Sequence, residues 1–271
     1  MAQSTAASSN KAKIARRVVE VLDFFDEAHR EATVMDIVRR YGRPQSSTSE
    51  LLSSLVELGL LYKDPFSRSY TLSPRAALMG TSGQPEAVRD GRIVRLVDRL
   101  VAQTGVSVAL VGMVGLSAQI FNWRPGTRAA IATSDELFGG ILAPLHETAP
   151  GLLLLSTIAK PRGDGVLRRL NSEAPDDRKF AYAEMAARVR MCGDQGHVRG
   201  AIGFGTRAEM LATLVPGQPC DRPLAIGFVY GSADKVNPDS LLHCLDEAIL
   251  QSFAEPQFQQ ESVIARFPTA A

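Results

Sequence analysis

Gln45, Ser46, Ser49, Glu50 and Ser53 recur at steps of three and four residues, so on a helix they form one face of short polar side chains. Together they donate and accept hydrogen bonds, which suits reading base-pair edges from inside a DNA groove. A serine-rich helix face is by itself more often plain solvated surface, so the ridge acquires meaning only from the scaffold that presents it. Other chemistry is thinly supplied. His29, His146, His197 and His243 are scattered without carboxylate or thiolate partners at ligand spacing, which argues against a metal site. The run Gly200-Ala201-Ile202-Gly203-Phe204-Gly205 has the wrong order for a dinucleotide-binding fingerprint and reads as a turn or a bulged strand. Phosphate-loop, nucleophile-elbow and zinc-protease signatures do not occur. Asp176-Asp177 follows Pro175 in what reads as a helix start, where capping accounts for it. The expectation is a protein that is not an enzyme and uses no cofactor or metal.

The ridge needs a helix, and the sequence around it supplies one. Ser47-Thr48-Ser49-Glu50 reads as a capping box, and Gly59 supplies the left-handed residue that ends the helix. Leu51, Leu55 and Leu58, with Thr48 one turn earlier, form an apolar stripe that must lie on something else. Upstream, Ile14, Val18, Leu22 and Phe25 predict a first amphipathic helix beginning among Lys11, Lys13, Arg16 and Arg17. Thr33 caps a second helix whose apolar face is Val34, Ile37, Val38 and Tyr41, ended by Gly42. Downstream, the β-prone runs 60–63 and 69–72 flank the turn residues 64–68, predicting a hairpin. Three helices and a hairpin in this order make a winged helix-turn-helix. Lys63 and Arg68 then fall where a wing meets phosphate or a minor groove, and Arg39, Arg40 and Arg43 flank the recognition helix. The candidate DNA contacts are Arg43, Gln45, Ser46, Ser47, Ser49, Glu50, Ser53, Lys63 and Arg68.

Composition sets the frame. The chain has 271 residues, 45% hydrophobic and 22% charged, which matches an ordinary globular protein of about two domains. A net charge of +1 means that any affinity for nucleic acid must come from local clusters. Cys192, Cys220 and Cys244 lie far apart, and their odd number leaves one thiol over in any disulfide scheme, so buried thiols in a reducing cytoplasm are expected. The polar start of the chain and the lack of a long apolar run point away from secretion and membrane insertion.

Beyond the hairpin, 73–83 mixes Pro, Gly, Ser and Thr and reads as a linker. Pro85 opens a longer helix with Val88, Ile93, Val94, Leu96, Val97, Leu100 and Val101, which Gly105 stops. Strands are predicted over 106–114, 118–123, 128–132, 198–204, 209–215 and 224–230. Thr148 and Pro150 open a helix through Leu152, Leu153, Leu155 and Ile158. Asp176 or Asp177 opens another that reaches Cys192 before Gly193, and Asn237-Pro238 opens the last, with Leu241, Leu242, Leu245, Ile249 and Phe253.

The run from Leu51 to Leu61, followed by Tyr70-Thr71-Leu72-Ser73-Pro74, resembles the winged-helix half of IclR-type bacterial transcription regulators. Gly140-Ile141-Leu142-Ala143-Pro144-Leu145-His146-Glu147-Thr148-Ala149-Pro150-Gly151 is similar to that family's signature at the start of the effector-domain helix. The resemblance runs from about Ile14 to Phe253. It implies an α+β chain, with an N-terminal winged helix-turn-helix and a C-terminal GAF-like antiparallel sheet with flanking helices. Its expected parts are a disordered tail (1–10), the DNA-binding domain (11–73), a linker (74–92), the effector-binding domain (93–254) and a C-terminal tail (255–271). One departure stands out: where relatives usually carry a Lys and an Arg on the recognition helix, this chain has Gln45 and Glu50. Glu50 either accepts from a cytosine amino group or closes the capping box, and the capping role is preferred.

The family's pocket lies between the sheet and the loop leading into the Thr148 helix, whose free N–H groups would hold a carboxylate. Carried over by position, it takes His146, Ala149 and Pro150 at the helix start, Met210 on the inner strand, and Phe228 and Tyr230 where relatives often carry hydroxyl groups. Trp123 and Arg124 are candidate walls from their place in the pattern. The implied partners are double-stranded DNA, a small and possibly aromatic organic acid, and further copies of the chain as a homodimer or homotetramer. The alternative is a sensor or protein-interaction module of the same fold whose specific DNA reading is weak or lost.

Overall fold

The computed structural model describes residues 10–26, 29–127, 137–231 and 234–254. The chain divides into two compact units, residues 1–84 and 85–271. The fold is α+β: helix-turn-helix elements first, then an antiparallel sheet with helices.

In the first unit, α1 (Asn10–Phe24), α2 (Val34–Tyr41) and α3 (Gln45–Glu57) precede a hairpin of β1 (Leu61–Lys63) and β2 (Tyr70–Leu72), and α4 (Pro74–Leu78) follows. A bridge between Ala32 and Tyr70, with N–H to carbonyl distances of 3.0 and 2.8 Å, ties the chain before α2 to β2 of the wing. The core joins Val21 of α1, Ile37 of α2 and Leu52 and Leu55 of α3 to Leu60, Leu61 and Tyr70. At the start of α2, Asp36 accepts from both the N–H and the hydroxyl of Thr33, at 2.8 and 2.7 Å. These bonds hold its carboxyl below the usual carboxylate range, Thr33's N–H contributing most.

Two details of α3 differ from the sequence expectation. Its N-cap is Pro44, so Ser47 stands inside the first turn and the Ser47–Glu50 capping box does not form. Instead the Ser47 and Thr48 hydroxyls donate back to the Pro44 carbonyl at 3.3 and 2.8 Å. The buried stripe is Thr48, Leu52 and Leu55, whereas Leu58 is 58% exposed. At the other end Gly59, with φ of 72°, closes the helix as expected: its N–H bonds Val56 and that of Leu60 bonds Leu55, both at 2.9 Å. In α1 the deepest side chain is Val21, with Val18, Phe24 and Phe25 partly buried around it, and Ile14 is exposed.

The second unit is built on a six-stranded antiparallel sheet of order β5-β4-β3-β8-β7-β6. Its strands are β3 (Ser107–Val114), β4 (Ser117–Arg124), β5 (Leu142–Pro144), β6 (His197–Ala201), β7 (Glu209–Leu214) and β8 (Leu224–Tyr230). One face carries α6 (Arg92–Thr104) and α10 (Pro238–Phe253). The other carries α7 (Ala149–Ser156), with α8 (Arg162–Glu173) and α9 (Tyr182–Gln195) outside it, and the short α5 (Glu86–Arg89) leads into α6.

Several expected elements change. The long helix from Pro85 is split at Gly91, whose left-handed backbone (φ 77°) separates α5 from α6. Asp176 and Asp177 sit in a 3-10 turn, and α9 begins later, at Tyr182, and runs through Gly193 to a C-cap at Gly196. The expected strand 198–204 ends at Ala201. Strand β5, only three residues long, and helix α8, whose buried stripe is Leu167 and Leu170, were not expected. The strand expected at 128–132 lies outside the described residues.

Replacing Leu52, which has no exposed surface, by Ala should cost the first unit about 2–5 kcal/mol, read as a lowered midpoint in chemical denaturation of the full-length protein.

Candidate functional site

The first candidate site is the outer surface of α3. Burying Thr48, Leu52 and Leu55 leaves Gln45, Ser46, Glu50 and Ser53 exposed, with Ser49 half-buried beside them. Helix α3 carries no basic side chain, and its acids are Glu50 and Glu57. Charge reaches it from neighbours. Arg17 of α1 donates to the Ser47 hydroxyl at 3.3 Å, which sets a guanidinium beside the first turn of α3. Arg43, by contrast, is taken up by Glu20 of α1 at 2.8 and 3.0 Å, and its Nε is shut off from solvent without a partner among the described residues. This half-buried pair braces the turn between α2 and α3, so the structure gives Arg43 a bracing place, not a free cation's. Lys63 and Arg68 are exposed on the wing, Lys63 lying 5.6 Å from the centre of the Tyr70 ring. The wing tip is stiffened by Asp64, which accepts from the Phe66 N–H and the Ser67 hydroxyl at 2.8 and 2.9 Å and leaves the Phe66 side chain 95% exposed.

The second candidate site is the start of α7. Residues Ala149 to Leu155 are all buried, because sheet strands lie on one side and α9 on the other. Such a helix must have its first N–H groups satisfied from within. Thr148 does this: its hydroxyl oxygen accepts from Gly151 at 2.9 Å and its carbonyl from Leu152 at 3.1 Å. Pro150 has no N–H, so Ala149 alone in the first turn retains one for a ligand, fewer than the sequence implied. The glycine-rich run 200–205 acquires its purpose here. A side chain on Gly203 (φ 84°) would stand 2.6 Å from the Thr148 methyl, so glycine lets the end of β6 close on the helix start. Phe204 next to it also has positive φ, 55°, an uncommon backbone for an aromatic residue.

His146 precedes this helix start at 7% exposure, and among the described residues neither ring nitrogen has a hydrogen-bond partner. The Phe180 ring lies 4.9 Å from its own, centre to centre, and Glu147 is 3.7 Å from Nε2. Burial pulls the imidazole below its usual range; Glu147 opposes this and Arg178 adds to it. Phe180 is itself clamped, its N–H and carbonyl bonded to the Asn171 side chain of α8 at 2.9 and 3.0 Å. Sequence reasoning missed Phe180 and Asn171, since neither belongs to a periodic pattern.

The expected effector residues divide between the two faces of the sheet. On the α7 face, Val198, Ala212, Gly227, Ala109 and Trp123 pair in one row across five strands, and Met210 and Val229 pair in the next. Trp123, Ala149 and Met210 therefore belong to the α7 core, with His146 and Pro150 at the helix start. Phe228 and Tyr230 point the other way, into the core with α6 and α10. The strand period of two forces this once Ala225 and Val229 face α7. Arg124 also leaves the expected wall, bonding Asp98 of α6 at 2.7 and 2.9 Å. The structure thus brings together Trp123, His146, Ala149, Pro150 and Met210 and separates from them Arg124, Phe228 and Tyr230.

These two features define a class: a winged helix-turn-helix followed by an α+β unit built on an antiparallel sheet. Residues 15–65 match the family model for the IclR helix-turn-helix domain. Among solved structures, the chain is similar to an IclR transcriptional regulator from Alicyclobacillus acidocaldarius, with 20% identity and a TM-score of 0.55 over 89% of this chain and 96% of that one. An IclR homologue from Microbacterium hydrocarbonoxydans complexed with 4-hydroxybenzoate aligns at 19% identity and a TM-score of 0.54, covering 88% and 97%. The Thermotoga maritima IclR gives 14%, 0.53, 89% and 95%. A search of curated proteins finds no match. Residues 15–65 of the first unit thus match the IclR helix-turn-helix model, and the chain has the fold seen in IclR-type transcriptional regulators. No helix among the described residues is long and apolar enough to cross a membrane.

Because His146 is held neutral, the unfolded chain takes up its proton first, at about pH 6.5. Its contribution to stability is therefore present above that pH and lost as pH falls through the lower folded value. Replacing His146 by Phe should flatten the fall in thermal midpoint between about pH 7.5 and 5.5.

Proposed function

We propose that this protein is a DNA-binding transcriptional regulator whose second unit senses a small aromatic acid. The observation that carries the DNA half is the exposed ridge Gln45, Ser46, Ser49, Glu50 and Ser53, left outside when the apolar face of α3 is spent on the core. Phosphate contact falls to the exposed Arg16, Arg39, Arg40, Lys63 and Arg68 and to Arg17 beside Ser47. The sensing half is supported by the buried His146, whose free nitrogens suit a hydroxyl or carboxyl group, with the Phe180 ring beside it. The 4-hydroxybenzoate bound by the Microbacterium relative is of that chemistry. Effector binding and DNA binding are linked: the effector favours one arrangement of paired winged helices, and by reciprocity DNA alters effector affinity by the same factor. A coupling of about 1–3 kcal/mol suffices.

A recognition helix without cations, and an Arg43 occupied by Glu20, favour one second reading, a sensor that keeps the fold without specific DNA reading. Binding of the full-length protein to its upstream duplex, measured across a salt series, separates the two. A regulator shows sequence-dependent binding that weakens steeply with salt, since the six cations of each winged helix displace counterions from phosphate. The sensor binds specific and random duplexes alike. For the effector, 4-hydroxybenzoate is the first probe: it should change duplex affinity about 5- to 150-fold. Replacing Asn171 by Ala, which unclamps Phe180, should shrink that response and leave ligand-free DNA affinity unchanged.

A further inference from the structure

Glu50 has no structural task in the fold. The helix begins at Gln45, so Glu50 lies well past the cap, and its side chain is exposed. Among the described residues no ion pair or hydrogen bond engages its carboxylate, and only its backbone carbonyl is used, accepting from the Ser54 hydroxyl at 3.0 Å. With Ser46 four residues before and Ser53 three after, it stands in the middle of the exposed ridge. An acid there is costly near a duplex, because no cation on α3 offsets its repulsion from phosphate.

The ridge serines and Gln45 both donate and accept, whereas a carboxylate only accepts. In the major groove, guanine presents N7 and O6 and thymine O4, all acceptors that repel it. Donors come only from the cytosine and adenine amino groups, and adenine's lies beside the N7 acceptor. Cytosine is the better partner for a carboxylate, because its amino group has an acceptor, guanine O6, on one side only, whereas adenine's lies between N7 and thymine O4. We propose that Glu50 is a specificity-determining residue that accepts a hydrogen bond from a cytosine amino group in the major groove. This rests on the DNA-binding reading above and deepens it. Glu50 then raises selectivity while lowering overall affinity, the reverse of a phosphate contact.

The test is selection of bound sequences from a randomised duplex pool by the full-length protein, in parallel with E50Q and E50A. The wild-type protein should enrich a motif with C·G at one position of each half-site. E50Q should move that position to A·T, because an amide pairs with adenine N6 and N7. E50A should level it, losing about ten-fold discrimination while binding unrelated duplex several-fold more tightly. A wild-type motif that survives unchanged in both variants overturns the Glu50 assignment and leaves the regulator reading intact. No enrichment by the wild-type protein overturns both.

Discussion

A helix buried on every side is the constraint on which the second unit depends. Helix α7 packs against the sheet on one side and α9 on the other, and its Leu-rich sequence leaves no face for water. Each fully buried Leu contributes about 1.5–3 kcal/mol, and the cost falls on the helix ends, where backbone groups must be satisfied without solvent. Thr148 meets that need at the start, Gly203 makes room for it, and the chain before it carries His146 into an apolar setting. A polar ring is thus buried beside Phe180, with nitrogens that no described residue of the protein satisfies.

The first unit follows the opposite economy. Helix α3 gives its apolar positions to a small core and is fixed at both ends by backbone bonds, from Thr48 to Pro44 and from Leu60 to Leu55. Helix α1 adds the Arg43–Glu20 pair and the Arg17–Ser47 bond. These contacts set the helix while leaving one face without structural duty. In the regulator proposed above, such a ridge of hydroxyls and one carboxylate would be selective more than adhesive, because hydrogen bonds to bases discriminate and phosphate contacts do not.

Much of this was legible from local pattern. The helix-turn-helix order, the stop at Gly59 and the cap at Thr148 follow from residue types whose preferences act within one turn. Errors arose where two local signals competed. Ser47 and Glu50 satisfy a capping-box spacing, yet the helix starts earlier because Thr48 is needed in the core and its hydroxyl bonds Pro44. Leu51 and Leu58 look as apolar as Leu52, but only packing against α1, α2 and the hairpin selects which register is buried. Phe180 lies outside any helix or strand, and Asn171 is a polar position of α8, so no apolar period could flag the one as a neighbour of His146 or the other as its clamp.

The sequence by itself determined most of the helices and strands, and which side chains of a strand share a face, since both are set largely by backbone geometry over a few residues. It could not say which face of a strand meets which helix. All seven residues of β8 are buried, so no alternation of polar and apolar marks one side from the other. Only the three-dimensional packing assigned Val229 to α7 and Phe228 and Tyr230 to α6 and α10, because a strand covered on both faces takes its sidedness from partners distant in the chain.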